Sequence, residues 1–249
     1  MSTTAFDNLA AQYDRLWTRT TVGQLQREAV WRGIAPLFKP GQSVLDLGCG
    51  TGEDAVRLMD AGLRVHAIDA SPEMVRAARN RGVDAEVLPI ENCGQLEGRF
   101  DAVLSNFGAL NCVADLEALR EPLGRLVRPG GYLAICLIGR FCLWETAWSL
   151  LRARPGKAFR RWRSSAMSSL GFRVYYPSKG NLKAAVGPHF SLLNWRGVGL
   201  CVPPSYVTGL SDGALRKLDA VDRRIANWPL LRGFGDHRLF IFVRNSECL

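Results

Sequence analysis

Three glycines stand two residues apart, Gly48, Gly50 and Gly52, directly behind the apolar run of Val44, Leu45 and Leu47, and one carboxylate, Asp46, interrupts that run. Glycine lets a chain turn tightly and lets a ligand approach the backbone without meeting a Cβ atom. A helix starting just after such a loop offers free N–H groups and the positive end of its dipole, suited to an anionic group. The dinucleotide pattern G-x-G-x-x-G would need its third glycine at position 53, where the chain has Glu53, and a diphosphate would be repelled by acids at 46, 53 and 54. An NAD-dependent oxidoreductase is therefore disfavoured. A ligand carrying an ammonium as well as a carboxylate accepts Asp46. Asp69 ends the next apolar run, about 20 residues on, where a carboxylate can take both hydroxyls of a ribose. An amino acid joined to a nucleoside describes S-adenosylmethionine (SAM).

The elements that must position these residues follow from the periodicity. Short apolar runs, "SVLDLG", "LRVHAID", "VDAEVLPI", "FDAVLSN" and "GYLAICLIG", alternate with helical periods, "GEDAVRLMDAG", "PEMVRAARNRG" and "DLEALREPLGRLVRPGG". Strands alternating with helices build a parallel sheet with helices on both faces, and ligands bind outside the carboxyl ends of its strands. Thr51 with Asp54 has the spacing of a capping box, and Gly62 is placed to close the helix it opens. Ser71 followed by Pro72 reads as an N-cap with proline at the first helical position. Pro122 falls inside the period of Leu116, Leu119, Leu123 and Leu126 and predicts a kink or a restarted helix. A helix is expected over 23–38, a strand over 190–204, a helix over 211–227 and a last strand over 236–245 as an antiparallel edge. The fold class expected is a doubly wound Rossmann-like α/β domain: a seven-stranded, mostly parallel sheet with an antiparallel last strand and a helical lid insertion. The chain divides into an N-terminal cap and first helix (1–40), a cofactor core (41–139), a basic and aromatic lid (140–184) and closing elements (185–249), all in a single domain 1–249.

In this order and spacing, "VLDLGCGTG", "AIDASPEMV", "FDAVLSNFGAL" and "LVRPGGYLAI" resemble the class I SAM-dependent methyltransferases. "FDNLAAQYD" at 6–14 is similar to the lead-in of the subgroup that methylates quinones and other small molecules. The resemblance covers residues 6–139 closely and 185–245 loosely. It implies that Asp46, Gly48, Cys49 and Gly50 line the methionine part of SAM, and that Asp69 binds the ribose with Ala70 and Met74 near the adenine. Ser105 and Asn106 would face the sulfonium or amino group, and Tyr13 would cover the site. For the adenine-contacting acid, Asp84 matches the family superficially, but it falls before or inside the third strand. Glu91 and Asn92, at the end of that strand, are preferred. On the acceptor side the expected contacts are Tyr13, Asn111, Arg140 and Trp144. No residue declares itself as a general base.

Composition narrows the partners. Hydrophobic residues make up 47% of 249 residues, enough for a sizeable core. No apolar run is long enough to cross a bilayer and no basic-then-apolar leader opens the chain, so a cytoplasmic protein is expected. The seven cysteines form no C-x-x-C pair and read as reduced thiols; the three histidines, His66, His189 and His237, lack ligand-like spacing, and no metal is expected. His66 and His189 read as strand residues, and His237 as a capping or sheet-edge residue with a site role as the alternative. The net charge of +9 is concentrated, since residues 140–173 carry eight Lys/Arg against Glu145 alone. In that segment Leu143, Trp144, Ala147, Trp148 and Leu151 share one helical face, expected to pack on the domain. Contact of the lid with an anionic membrane surface is a further expectation. The leading function is methyl transfer from SAM to a small-molecule acceptor, lipid-like or a biosynthetic intermediate. An RNA methyltransferase using the basic segment and a non-catalytic SAM-binding protein are the alternatives. Strand four ends in "SNFGA", not in the N-P-P-Y type that handles base amines, so nucleic acid is not an expected partner.

Overall fold

The computed structural model describes residues 3–168 and 170–246; the cysteine at 248 lies outside them. The core alternates as its periodicity requires: β1 (Ser43–Leu47), α3 (Glu53–Asp60), β2 (Arg64–Asp69), α4 (Pro72–Arg79), β3 (Asp84–Val87), β4 (Phe100–Ser105), α5 (Arg120–Leu126) and β5 (Val127–Ile138). Before it come α1 (Thr3–Tyr13), which runs on through a π-turn, and α2 (Thr21–Ile34). After it come α6 (Leu143–Leu151), α7 (Pro155–Ala158), the hairpin strands β6 (Ser165–Met167) and β7 (Arg173–Tyr175), α8 (Lys179–Val186), β8 (Phe190–Val198), α9 (Asp212–Ile225) and β9 (His237–Arg244).

The seven-stranded sheet runs β3-β2-β1-β4-β5-β9-β8. β3, β2, β1, β4 and β5 pair in parallel, and β9 is antiparallel to both β5 and β8. The last strand is thus antiparallel as expected, but it is not an edge: β9 inserts between β5 and β8. Its apolar residues explain the placement, because Phe240 and Phe242 are buried on one sheet face and Leu239 and Ile241 on the other. An edge strand would leave one flank of its backbone unpaired. The same two-sided alternation runs through β5, where Leu133, Ile135 and Leu137 face α5 and α8 while Ala134 and Cys136 face α2, α3 and α4.

Local chemistry accounts for most helix boundaries. Ser71 caps α4 by accepting from the Met74 N–H, with Pro72 in the first turn. α5 restarts at Arg120 after a 3-10 turn, which places Pro122 in its first turn, where the ring meets no preceding carbonyl. The capping box is a correction. α3 opens from Gly52 in the left-handed region with no side-chain cap. Thr51 Oγ1 instead donates to Asp14 Oδ1 at 2.7 Å, and Asp54 turns inward. Asp54 accepts from Trp31 Nε1 at 2.8 Å, from Asn106 Nδ2 at 2.9 Å and from Arg27, tying α2, α3 and the end of β4 together. A buried acid with three donors is better satisfied than one capping a helix in solvent.

Candidate functional site

Strand order reverses between β1 and β4, and the loops leaving the carboxyl ends of β1, β2 and β4 enclose a cup lined by Tyr13, Gly48, Gly50, Asp69, Ala70, Ser71, Met74, Ile90, Asn106, Phe107, Gly108, Ala109 and Cys112, with Phe6. Gly48 sits at φ +77, and a Cβ there would lie 2.4 Å from Ala109 Cβ; only glycine allows the two loops to meet. Gly50, at φ +55, has no atom within 4 Å of where a Cβ would point, which leaves its backbone open to a ligand. Asp69 is held by backbone alone: Oδ2 accepts from Gly50 N–H at 2.9 Å and Oδ1 from Ser71 N–H at 2.9 Å. Burial pushes its carboxyl above the usual range while those N–H groups oppose the rise.

The cup fits an adenosyl amino acid on its own geometry. Asp46, two residues before Gly48, is not on the cup wall; it is 2% exposed and its Oδ2 has no hydrogen-bond partner, an orphaned buried acceptor that an ammonium reaching it would satisfy. Burial, with Asp54 and Asp69 nearby, pushes its carboxyl well up, so a cation would be needed to hold the charged form. Asp69 keeps lone pairs free for hydroxyls.

Of the residues the sequence nominated, Tyr13, Gly48, Gly50, Asp69, Ala70, Met74 and Asn106 come together on the cup wall. Others do not. Cys49 packs behind the loop against the α2–α4 core, and burial raises its thiol far above the usual value. Ser105 Oγ donates to the Leu47 carbonyl at 2.9 Å, pinning β4 to β1. Glu91 and Asn92 are exposed and off the wall, where Ile90 stands instead. The 3-10 turn beginning at Ile90 turns the apolar side chain inward and its polar neighbours to solvent. Asp84 opens the edge strand β3 and pairs with His66 Nδ1 of β2 at 2.9 Å, so both are spent on joining those two strands.

A second cavity, about 320 Å³, opens beside the cup. The two share Phe6, Tyr13, Phe107, Gly108 and Cys112. Its walls are mostly apolar and aromatic: Leu9, Trp17, Val22, Ile138, Leu170, Phe172, Val174 and Pro204, with Tyr176 and Tyr206. Here too the nominations divide. Asn111 reaches the wall but spends both ends of its amide on backbone, donating to Tyr175 O at 2.6 Å and accepting from Ile138 N–H at 2.8 Å. Arg140 and Trp144 are off the wall: Arg140 donates to the Trp162 carbonyl at 3.2 Å and Trp144 to the Cys201 carbonyl at 2.8 Å. Arg160 and Arg161 take the expected place of Arg140.

Those arginines belong to a buried ionic cluster. Glu145 accepts from Arg160 Nε at 2.7 Å and Nη2 at 2.8 Å, from Arg161 Nη2 at 2.9 Å and from the Tyr206 hydroxyl. Arg161 also donates to Asp236 Oδ1 at 2.9 Å. Arg160 and Arg161 hold the Glu145 carboxyl down at about 2, against burial, which raises it. The lid helix α6 is consequently turned from its expected orientation: Glu145 and Ser149 are buried, while of the face expected to pack on the domain Trp144 and Trp148 are half-buried and Leu143, Ala147 and Leu151 are exposed. Two of the eight basic residues of the segment are therefore spent internally.

His237, the first residue of β9, lies on the wall of the second cavity. Its Nδ1 is buried, makes no hydrogen bond and faces Asp236 Oδ2 at 3.4 Å. Nε2 makes no hydrogen bond among the described residues. Phe107, shared by both cavities, sets its edge against the ring at 5.3 Å between centroids. Burial and Arg161 lower the imidazole's pKa more than Asp236 raises it, so the ring is neutral near pH 7. The strand start alone could not single it out; the cavity does.

Residues 44–131 match the Methyltransf_25 family, described as a methyltransferase domain. Two similar proteins are demethylmenaquinone methyltransferases. That of Clavibacter sepedonicus is 36% identical over 143 residues, covering 53% of this chain and 55% of the relative. That of Paenarthrobacter aurescens (strain TC1) is 35% identical over 164 residues, covering 62% and 63%. The chain thus aligns with somewhat over half the length of the curated relatives it matches. Among solved structures, the fold is shared with the 1,6-didemethyltoxoflavin-N1-methyltransferase of Burkholderia thailandensis, crystallised with 1,6-didemethyltoxoflavin and S-adenosylhomocysteine. The TM-score is 0.60 at 19% identity, over 98% of this chain and 87% of that one.

Proposed function

Since the chain belongs to the class I SAM-dependent methyltransferases, we propose that it transfers a methyl group from SAM to a small, flat, apolar acceptor carrying a hydroxyl. The observation that carries this reading is the cofactor cup meeting an aromatic cavity across Tyr13 and Phe107, with a neutral histidine on the cavity's wall. The quinone-type relatives support a ring acceptor. When bound, SAM supplies a methyl already made electrophilic by its sulfonium.

The chain's residues supply placement and proton handling. Asp69 would take the ribose hydroxyls, Ala70, Met74 and Ile90 would flank the adenine, and the Gly48–Gly50 backbone would receive the methionine end, with the buried Asp46 carboxylate next to it in the chain. Aromatic walls hold the acceptor ring and exclude water, which favours alignment for displacement. The acceptor hydroxyl would give its proton to His237 Nε2 as its oxygen takes the methyl and the sulfur–methyl bond breaks, leaving S-adenosylhomocysteine; Asp236 Oδ2, 3.4 Å from Nδ1, would face the imidazolium formed.

Transfer of labelled methyl from SAM to a panel of hydroquinones and phenols tests the reading, with binding of S-adenosylhomocysteine (SAH) measured by calorimetry. His237→Ala should lower the transfer rate by about 100- to 10,000-fold, as loss of a general base does, with SAH affinity unchanged. Failure of the wild type to bind SAH removes the cofactor assignment. Full transfer by the variant removes the base.

A further inference from the structure

Exposed apolar side chains are not spread evenly over this protein. Eleven of the seventeen large ones among the described residues fall in 141–170 and 228–234. Soluble surfaces rarely gather such side chains into one patch without a use for it. Its aromatic part is contiguous. Phe141 packs edge-on to Trp162 at 5.5 Å and lies 6.3 Å from Phe234, and Phe159 meets Trp162 at 5.1 Å. Each of the four rings is at least 37% exposed. The Leu143 N–H binds the Phe234 carbonyl at 3.3 Å, which joins this aromatic group to α6. There Leu150 and Leu151 are 48% and 82% exposed because the opposite face has been given to Glu145 and Ser149.

The charge around the patch has one sign. Arg152, Arg154, Lys157 and Arg163 belong to the same segment, and none makes an ion pair among the described residues. The segment's one acid, Glu145, is buried with Arg160 and Arg161. A second copy of the chain docking through this face would bring the same cations against themselves, since a two-fold interface apposes one patch with its equal. An anionic bilayer offers the complement: phosphates for the arginines, and an interfacial zone in which aromatic rings and leucines settle.

We propose that this face of the lid is a docking surface for anionic lipid bilayers, with the α6 leucines and the aromatic group entering the headgroup zone and the four cations contacting phosphates. The same lid walls the acceptor cavity through Arg160, Arg161 and Leu170, so docking would bring that cavity to the lipid surface. The proposal stands apart from the identity of the acceptor.

Co-sedimentation with vesicles tests it, using phosphatidylcholine alone and phosphatidylcholine mixed with phosphatidylglycerol. The protein should partition onto the mixed vesicles, leave the neutral ones largely unbound, and detach as salt is raised. Leu150→Asp/Leu151→Asp and, separately, Arg154→Glu/Arg163→Glu should each lower partitioning by roughly tenfold or more. All four side chains are exposed, so melting temperature and SAH affinity should not change. No partitioning onto mixed vesicles, or partitioning that the variants leave intact, overturns the proposal. So does a dimer in ultracentrifugation that the leucine variant converts to monomer, which would assign the face to a second copy.

Discussion

Asp69 in the cofactor cup and Glu145 in the lid are both buried carboxylates, and they are held by opposite means. Asp69 leans on two backbone N–H groups that the turns after β1 and β2 supply. Glu145 leans on two arginines and a tyrosine from elsewhere in the lid and beyond it. The outcome for each proton differs accordingly: burial wins at Asp69, whose carboxyl is raised, and the arginines win at Glu145, held at about 2. An acid held by backbone keeps lone pairs for a ligand, and its loss leaves no cation stranded. An acid held by cations is committed to structure. The cup is thus arranged to bind, and the ionic cluster to hold a lid helix, α6, whose leucines stay exposed.

The largest expected effect falls on the lid. Glu145→Gln leaves Arg160 and Arg161 short of their buried counter-charge and should remove about 3–5 kcal/mol of stability in chemical denaturation, with SAH affinity unaltered. Acidity tests the same point. The Glu145 carboxyl lies at about 2 in the folded chain against an ordinary 4.5, so its contribution is complete above 4.5 and is lost as pH falls from there towards 2. The wild type should therefore lose stability across that window more steeply than Glu145→Gln. An unchanged melting curve and acid limb would erase the distinction between the two acids. A smaller effect belongs to the cup: Asp69→Ala should weaken SAH binding by about 1–3 kcal/mol in calorimetry, the range for a lost hydrogen bond to a charged group, and should move thermal stability less than Glu145→Gln does. Strong unfolding with unaltered affinity would reverse the roles. The smallest effect sharpens the boundary. Arg140→Ala should stay within about 0.5 kcal/mol in stability and leave acceptor turnover unchanged, because the guanidinium is tied to the Trp162 carbonyl away from the cavity.

The parts read correctly from the chain are those whose physics is local. Ser71 and Pro72 announce α4, the apolar alternation of β5 announces a strand buried on both faces, and Gly48 and Gly50 announce a backbone that a ligand can approach. Misreadings arise where a side chain chooses a distant partner over a near one. Thr51 and Asp54 have cap spacing, but Asp14, Arg27, Trp31 and Asn106 claim them. Leu143 and Leu151 have the spacing of a packing face, but the buried Glu145 decides which way α6 turns. Glu91 and Asn92 lie at the right point of the chain, yet the turn at Ile90 sends them to solvent.

By itself the sequence determined the doubly wound sheet and the place of the cup, because periodicity, glycine freedom and the ends of strands are properties of neighbouring residues. Only the tertiary structure decided what faces the cup. His237, Arg161 and Tyr176 come to one cavity from 237, 161 and 176, while Phe6 and Tyr13 come from the opposite end of the chain. Their meeting depends on how β9 threads between β5 and β8 and how α1 closes over the loops. No spacing within the chain encodes a distance that folding alone creates.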